Sequence, residues 1–284
     1  MKERFNSELI TRQVAAALAE DLGAGDVTAA LVPASQQVRA QIIAREPAIL
    51  CGADWADATF KQLDSSIRAD WQAQDGDALV ADGLVVRLTG PARPILTGER
   101  TALNFLQTLS ATATAARRYV DAVAGTGCKI LDTRKTLPGL RLAQKYAVRC
   151  GGAQNHRLGL HDMVLLKENH IIAAGSIGGA VAAARQTSPG VPVEVEVENL
   201  GEFDQALGAG ADIILLDELS LEDMREAVER NRSQGSKAKL EASGSITIAT
   251  VREVALTGVD YISIGGITKH VQAIDLSMRF EFTS

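Results

Sequence analysis

Leu9, Ile10, Val14, Ala17, Leu18 and Leu22 recur at the spacing of one helical face and Leu22-Gly23 closes the run, so residues 9 to 22 predict a helix laid on a packed surface. Val38, Ala40, Ile42 and Ala44 then alternate with Arg39, Gln41, Ile43 and Arg45, the period of a half-buried strand. Two more short strands are expected at 67–72 and 84–89, set apart by the turn chemistry of Asp75-Gly76-Asp77 and Ala81-Asp82-Gly83. The first hundred residues thus read as a small α+β domain. A long helix follows from about Glu99 to Val123, with Leu103, Leu106 and Leu109 in its buried stripe.

Beyond Gly127 the pattern turns repetitive. Short apolar runs at Lys129-Ile130-Leu131, Met163 to Leu166, Val193 to Val197, Ile213 to Leu216, Leu240 and Tyr261 to Ile264 alternate with helical segments, each cycle the length of a β-α unit. Asn199 with Glu202, and Ser220 with Asp223, have the spacing of helix N-caps, and Gly208, Gly210 and Gly258 stand where helices give way to strands. Runs this rich in Val, Ile and Leu fit a parallel sheet buried on both faces. Lys135, Lys167, Glu196, Asp217 and Ser243 fall at or just past successive strand ends, with Gly265-Gly266 after the last. Functional groups at every strand end favour a barrel rim over the single switch point of an open sheet. The tail Leu276, Met278, Phe280 and Phe282 alternates like a strand that returns to the first domain.

Composition narrows the function. With 284 residues, 46% of them hydrophobic, the chain can bury a sizeable core, and its net charge of −6 argues against a general nucleic-acid binder. No apolar run is long enough to span a bilayer, and residues 1 to 22 are amphipathic and acid-bearing, unlike a secretory signal, so a cytoplasmic protein without membrane partners is expected. Cys51, Cys128 and Cys150 are odd in number, far apart in sequence and lack Cys-x-x-Cys spacing, which predicts buried free thiols.

Against this acidic background, cations concentrate between Asp132 and His170. Arg134 and Lys135 follow one strand, Arg157 lies in the loop from Gly151, and Lys167 ends another strand, a density that points to a held anion. Glu194, Glu196 and Glu198 share one side of a strand; if that side is interior, each acid needs a cation or metal. Glu196 and Asp217 suit a hard cation such as Mg2+, while an ion pair between Lys167 and Glu196 is the bland alternative. The spacing of His156, His161, His170 and His270 matches no helix-borne zinc motif. Ser243-Gly244-Ser245 and Ile264-Gly265-Gly266, as the last two strand-end loops, sit where backbone N–H groups commonly hold a phosphate. Arg100, one turn into a helix expected to begin near Thr97, is a cation at the end where the helix dipole disfavours it.

These motifs together resemble the quinolinate phosphoribosyltransferase family. Asp132 to Arg141 (Asp-Thr-Arg-Lys-Thr-Leu-Pro-Gly-Leu-Arg), Asn155-His156-Arg157, Leu166 to Ile171, Glu194 to Glu198 and Ser263 to His270 arrive in the family's order and spacing over nearly the whole chain. The resemblance implies an N-terminal α/β sandwich over 1–110 rejoined by the tail 275–284. It also implies an incomplete, seven-stranded-like α/β barrel over 111–274 and a homodimer. It implies phosphoribosyl transfer from phosphoribosyl pyrophosphate to quinolinate with decarboxylation, in de novo NAD synthesis. Arg134, His156 and Arg157 would then grip the quinolinate carboxylates, with Thr133, Lys135 and Lys167 near both substrates and Arg100 supplied in trans by the other subunit. Glu196 and Asp217 would meet the ribose hydroxyls and Mg2+, the metal through diphosphate or water. Ser243, Gly244, Ser245, Ile264, Gly265 and Gly266 would cradle the 5-phosphate.

Three places depart from the family pattern: Ala153-Gln154 before Asn155, Ser110-Ala111-Thr112, and Glu218, which adds negative charge beside the expected diphosphate. Two other readings compete: a phosphoribosyltransferase-like relative from molybdenum metabolism acting on another base, and a non-catalytic barrel that binds a phosphorylated metabolite. The set of Arg134, His156 and Arg157 favours a dicarboxylate, and two acids with two lysines favour catalysis.

Overall fold

A computed structural model describes residues 7–281. In chain order these form α1 (Ser7–Leu22), β1 (Gln37–Ala44), β2 (Ala48–Ile49), α2 (Ala53–Leu63), β3 (Arg68–Trp71), β4 (Ala78–Leu79), β5 (Leu84–Pro91) and α3 (Ala92–Ala122). There follow β6 (Lys129–Leu131), α4 (Arg141–Cys150), β7 (Val164–Leu166), α5 (Glu168–Ala174), α6 (Ile177–Thr187), β8 (Val193–Val197), α7 (Leu200–Gly208) and β9 (Ile213–Asp217). The chain ends with α8 (Leu221–Ser233), β10 (Lys239–Ser243), α9 (Val251–Ala255), β11 (Tyr261–Ser263), α10 (Gly266–Lys269) and β12 (Leu276–Glu281). No helix among the described residues is long and apolar enough to cross a membrane.

The chain divides into two compact units. One holds the chain up to Ala115, Pro138–Gly152 and the segment from His270; the other holds Ala116–Leu137 and Ala153–Lys269. A boundary after residue 110 and a returning tail from 275 were expected; besides these, 138–152 groups with the first unit. The reason is packing: Ala143 and Ala147 of α4 are fully buried in a cluster with Trp55, Leu109 and Val14, and the Tyr146 ring lies 5.9 Å from that of Trp55.

In the first unit the strands run β12-β1-β5-β3, all antiparallel. The alternation of the tail forms β12, which pairs Leu276, Met278 and Phe280 with Ala44, Ile42 and Ala40; Phe282 lies outside the described residues. Helix α1 buries Ile10, Val14 and Leu18, one residue per turn. Helix α3 starts earlier than the pattern implied. Pro94 falls in the first turn, where it forfeits no intrahelical hydrogen bond, so the helix can begin at Ala92. Arg100 therefore stands eight residues inside α3, roughly two turns, and the dipole argument made for it does not apply.

The second unit is a parallel sheet in the order β6-β11-β10-β9-β8-β7. Gln154 adds a one-residue parallel bridge to Leu131 outside β6, so the seventh strand position exists only as that bridge. Both faces of the sheet are covered: Val193, Val195, Val197, Ile214 and Leu216 are fully buried on one, and Glu194, Leu215 and Glu241 are buried on the other; each such apolar side chain stabilises the fold by about 1.5–3 kcal/mol. The two expected caps form, with Asn199 accepting from Glu202 N at 2.9 Å and Ser220 from Asp223 N at 3.1 Å. Because the strands are parallel, their carboxyl ends lie along one edge, and that edge carries the chemistry.

Candidate active site

Every strand of the second unit ends in a polar or glycine-bearing loop on the same edge. Strand β6 leads into Thr133, Arg134 and Lys135, β7 into Lys167, β8 carries Glu196, β9 ends on Asp217, β10 on Ser243, and β11 leads into Ile264, Gly265 and Gly266. The parallel pairing sets Ser243 opposite Asp217 in register. All the proposed site residues other than Arg100 thus belong to one unit. Arg100 belongs to the other, where it lines a cleft of about 270 Å³ with Glu20, Asp21, Asn104 and Thr108.

Asp132, the first residue past β6, is completely buried and pins the loop that follows Gln154. Its carboxylate accepts from Asn155 Nδ2 at 2.6 Å and from His156 N at 2.9 Å. That fastens the Arg157 loop to the Arg134 loop. The Arg157 backbone N–H donates to His156 Nδ1 at 2.8 Å, and His156 Nε2 lies 2.8 Å from a Glu194 carboxylate oxygen. Both ring nitrogens therefore face protein groups, so a direct grip by His156 on a substrate carboxylate requires the ring to release one of them. The Arg157 guanidinium is drawn below its ordinary range by burial and by the neighbouring charge of Arg134, with Glu194 and Asp162 pulling the other way. Two guanidiniums near enough to feel each other's charge make a ready anion site.

Lys135 lies across Gly265. A side chain at Gly265 would meet Lys135 Cδ at 3.0 Å and Thr133 Oγ1 at 3.5 Å, so the absence of a Cβ gives the lysine its path toward the β11 loop. Thr133 Oγ1 accepts from Lys135 N at 3.1 Å, and Thr268 Oγ1 donates to the Lys135 carbonyl at 2.9 Å. Lys167 caps α5 and its Nζ contacts Glu196, so the bland ion pair considered from sequence is present in this structure. Beside it a cleft of about 450 Å³ is lined by Glu168, Glu196, Glu198, Glu202 and Ser176.

Glu218 explains the departure after Asp217. It adopts a left-handed backbone (φ 54°), and its carboxylate accepts from Ser245 Oγ at 2.9 Å. A Cβ on Gly244 (φ 133°) would strike that carboxylate at 2.7 Å, so Glu218 rests directly on the expected phosphate loop.

Sequence reading passed over four features. Asp132 was quoted in a motif without a role, although a lone acid just past a strand end is the signal that finds it. Glu241 is isolated in its strand, and only the fold sets it beside Glu194 and His156, with one ligand atom of each within 4.8 Å of the others. Thr268 is found only by its contact with Lys135. Cys51 and Cys150, ninety-nine positions apart in sequence, come together with Asp75 within the same limit in the first unit. Cys51 and Cys128 are buried and Cys150 is half-buried, none of them in a disulfide.

Comparison with known proteins adds the family. Residues 26–110 match the N-terminal domain model of quinolinate phosphoribosyl transferase and residues 112–279 its C-terminal domain model. The chain is 41% identical over 263 residues to a probable nicotinate-nucleotide pyrophosphorylase (carboxylating) of Synechocystis, covering 92% of this chain and 89% of that protein. It is also 41% identical over 266 residues to the nicotinate-nucleotide pyrophosphorylase (carboxylating) of Mycobacterium leprae, covering 92% and 94%. Among solved structures, the nicotinate-nucleotide pyrophosphorylase of Francisella tularensis superposes with a TM-score of 0.95 at 47% identity, over 98% of each chain.

Proposed function

The chain belongs to the quinolinate phosphoribosyltransferase family and joins quinolinate to the phosphoribosyl group of phosphoribosyl pyrophosphate, releasing diphosphate and carbon dioxide to give nicotinate mononucleotide; we propose the residues that do this. Arg134 and Arg157 hold the two carboxylates of quinolinate, with His156 fixing the Arg157 backbone, and Thr133 orders the turn that carries Lys135. Lys135 and Lys167 stand between the two substrates. The loops Ser243 to Ser245 and Ile264 to Gly266 receive the 5-phosphate, and Glu196 and Asp217 receive the ribose hydroxyls. Arg100 completes the site from a second copy of the chain in a homodimer.

The single observation that carries this reading is the shared carboxyl edge of the parallel sheet, which gathers Arg134, Lys135, Arg157 and Lys167 around two acids. The substrates together bring about six or seven negative charges, and at 4 Å each like-charged pair repels by about 4 kcal/mol at an effective dielectric constant near 20. Fixed cations remove that repulsion where the reacting atoms must meet, at no reorganisation cost. With the dicarboxylate clamped, the ring nitrogen attacks the anomeric carbon, the bond to diphosphate breaks, and its electron pair leaves with diphosphate. The resulting pyridinium draws in the electron pair left when the adjacent carboxylate departs as carbon dioxide, and a proton takes its place. No protein nucleophile is needed.

The acid-lined cleft beside Glu196 is unsuited to a bare diphosphate and suited to one carrying a hard cation. Glu196 and Asp217 would meet Mg2+ through the diphosphate or water, and the metal supplies charge neutralisation on the leaving group. The test is incubation with quinolinate, phosphoribosyl pyrophosphate and Mg2+, following loss of quinolinate absorbance and release of labelled carbon dioxide, with nicotinate as control. Turnover of quinolinate alone, abolished by chelation and by Arg157→Ala in a protein of unchanged melting temperature, is the expected result. Undiminished kcat/KM in Arg157→Ala overturns the site assignment.

A further inference from the structure

Beneath the two arginines lie two acids that the reaction does not use. Glu194 on β8 and Glu241 on β10 have side chains 0% and 1% exposed, and His156 Nε2 approaches them to 2.8 and 3.6 Å. Among the described residues no well-aligned donor satisfies their four carboxylate oxygens; His156 Nε2 and, for Glu241, the Ser263 hydroxyl are the groups set against them. Buried carboxylates in this state persist only beside a compensating positive charge, which the neighbouring Arg157 guanidinium supplies. The Glu241 carboxyl is pushed up to about 8 by burial and by the charge of Glu194, with His156 and Ser263 pulling the other way. The pair thus carries its buried negative charge unequally, with Glu241 the member that resists ionising. That charge is felt by the Arg157 guanidinium, where it offsets the repulsion from Arg134.

We infer that Glu194 and Glu241 are positioning residues of the dicarboxylate subsite, lending the empty site one buried negative charge that stands in for the substrate's carboxylates and keeps Arg134, His156 and Arg157 together. The inference rests on the placement of quinolinate between Arg134 and Arg157. The three clustered side chains also have the spacing of a metal site. Two adjacent guanidiniums repel a dication, however, and one proton already offsets the second carboxylate, so the counter-charge role fits better.

A stand-in charge stabilises the empty protein and opposes the dianion that replaces it. Removing it should weaken the free fold and tighten the ligand, whereas a packing defect weakens both states alike. The probe is benzene-1,2-dicarboxylate, which carries both carboxylates and lacks the reacting nitrogen. The assays are calorimetric titration and thermal melting of the full chain with and without it.

Glu194→Gln should lower the melting temperature of the free protein, recover most of that loss with the probe, and bind the probe about tenfold more tightly. Glu241→Gln exchanges a protonated carboxyl for an amide and should shift the probe's Kd by less than about threefold. Equal loss of melting temperature with and without the probe, weaker binding in Glu194→Gln, or a metal ion recovered with the wild type and lost in either variant each overturns the inference. Arg157→Ala separates this from the underlying reading. If the probe binds that variant as it binds wild type, the subsite itself is misplaced; if it does not bind, the result for Glu194→Gln bears on the counter-charge alone.

Discussion

Gly265→Ala places one methyl group in the path of Lys135 and nowhere else of consequence. The added Cβ would sit 3.0 Å from Lys135 Cδ, against ordinary contacts that begin at 3.4 Å, so the lysine must retreat by about 0.4 Å. Gly265 is not among the glycines with positive φ, so alanine fits its backbone and the fold should not suffer. Lys135 is exposed and can yield by leaving its rotamer, at a cost of about 0.5–1.5 kcal/mol. A misplacement of 1 Å at a reacting centre can cost a hundredfold. The displacement here and the rotamer cost both point to a loss of about 1.4 kcal/mol, or tenfold in kcat/KM. Steady-state kinetics with each substrate varied, alongside a thermal melt, would measure it. An unchanged kcat/KM with an unchanged melting temperature refutes the claim that the Lys135 side chain must cross Gly265 to act.

Three further predictions rest on independent contacts. Asp75 accepts from Gly52 N and Ala53 N at 3.1 Å each and from Tyr146 Oη at 2.9 Å, so Asp75→Asn turns an NH2 toward one of those donors. Urea unfolding should show a loss of about 1–3 kcal/mol, and a loss below the lower figure refutes the account. Glu241 has its folded-state pKa raised to about 8 from 4.5, so its protonated form favours the native state. That stability is full below about pH 4.5 and is lost as pH rises toward 8. The wild-type melting temperature should accordingly fall across that window relative to Glu241→Gln, and parallel curves would contradict this. If Arg100 works in trans, mixing inactive Arg100→Ala and Lys135→Ala chains after unfolding and refolding together should restore about a quarter of wild-type activity, since half the dimers are mixed and each holds one intact site. No restoration argues for a site built from one chain.

Local pattern was sufficient for most elements and for the chemical inventory. The i, i+4 face of α1, the period-two runs of β1 and β12 and the caps at Asn199 and Ser220 are short-range signals, and each formed where its spacing placed it. The end of each strand was legible too, because a polar residue after an apolar run marks where burial stops. That is why Lys135, Lys167, Glu196 and Asp217 could be named without coordinates.

Contacts between distant positions were not legible. Residues 138–152 follow the cationic motif in sequence, yet α4 packs in the first unit, a choice made by Trp55, eighty-eight positions before Ala143. Arg100 looked misplaced at a helix start because that start was read near Thr97, whereas the helix begins at Ala92. Glu241 is one acid in an ordinary strand until β10 and β8 are brought to either side of β9, which sets it beside Glu194 and raises its pKa. Periodicity and residue type report how each segment meets water and its own near neighbours, so the sequence by itself determined the elements and the edge that carries the charges. Which charges face one another, and so which are shifted, paired or held in opposition, depends on distances across the packed interior, and those only the tertiary structure decided.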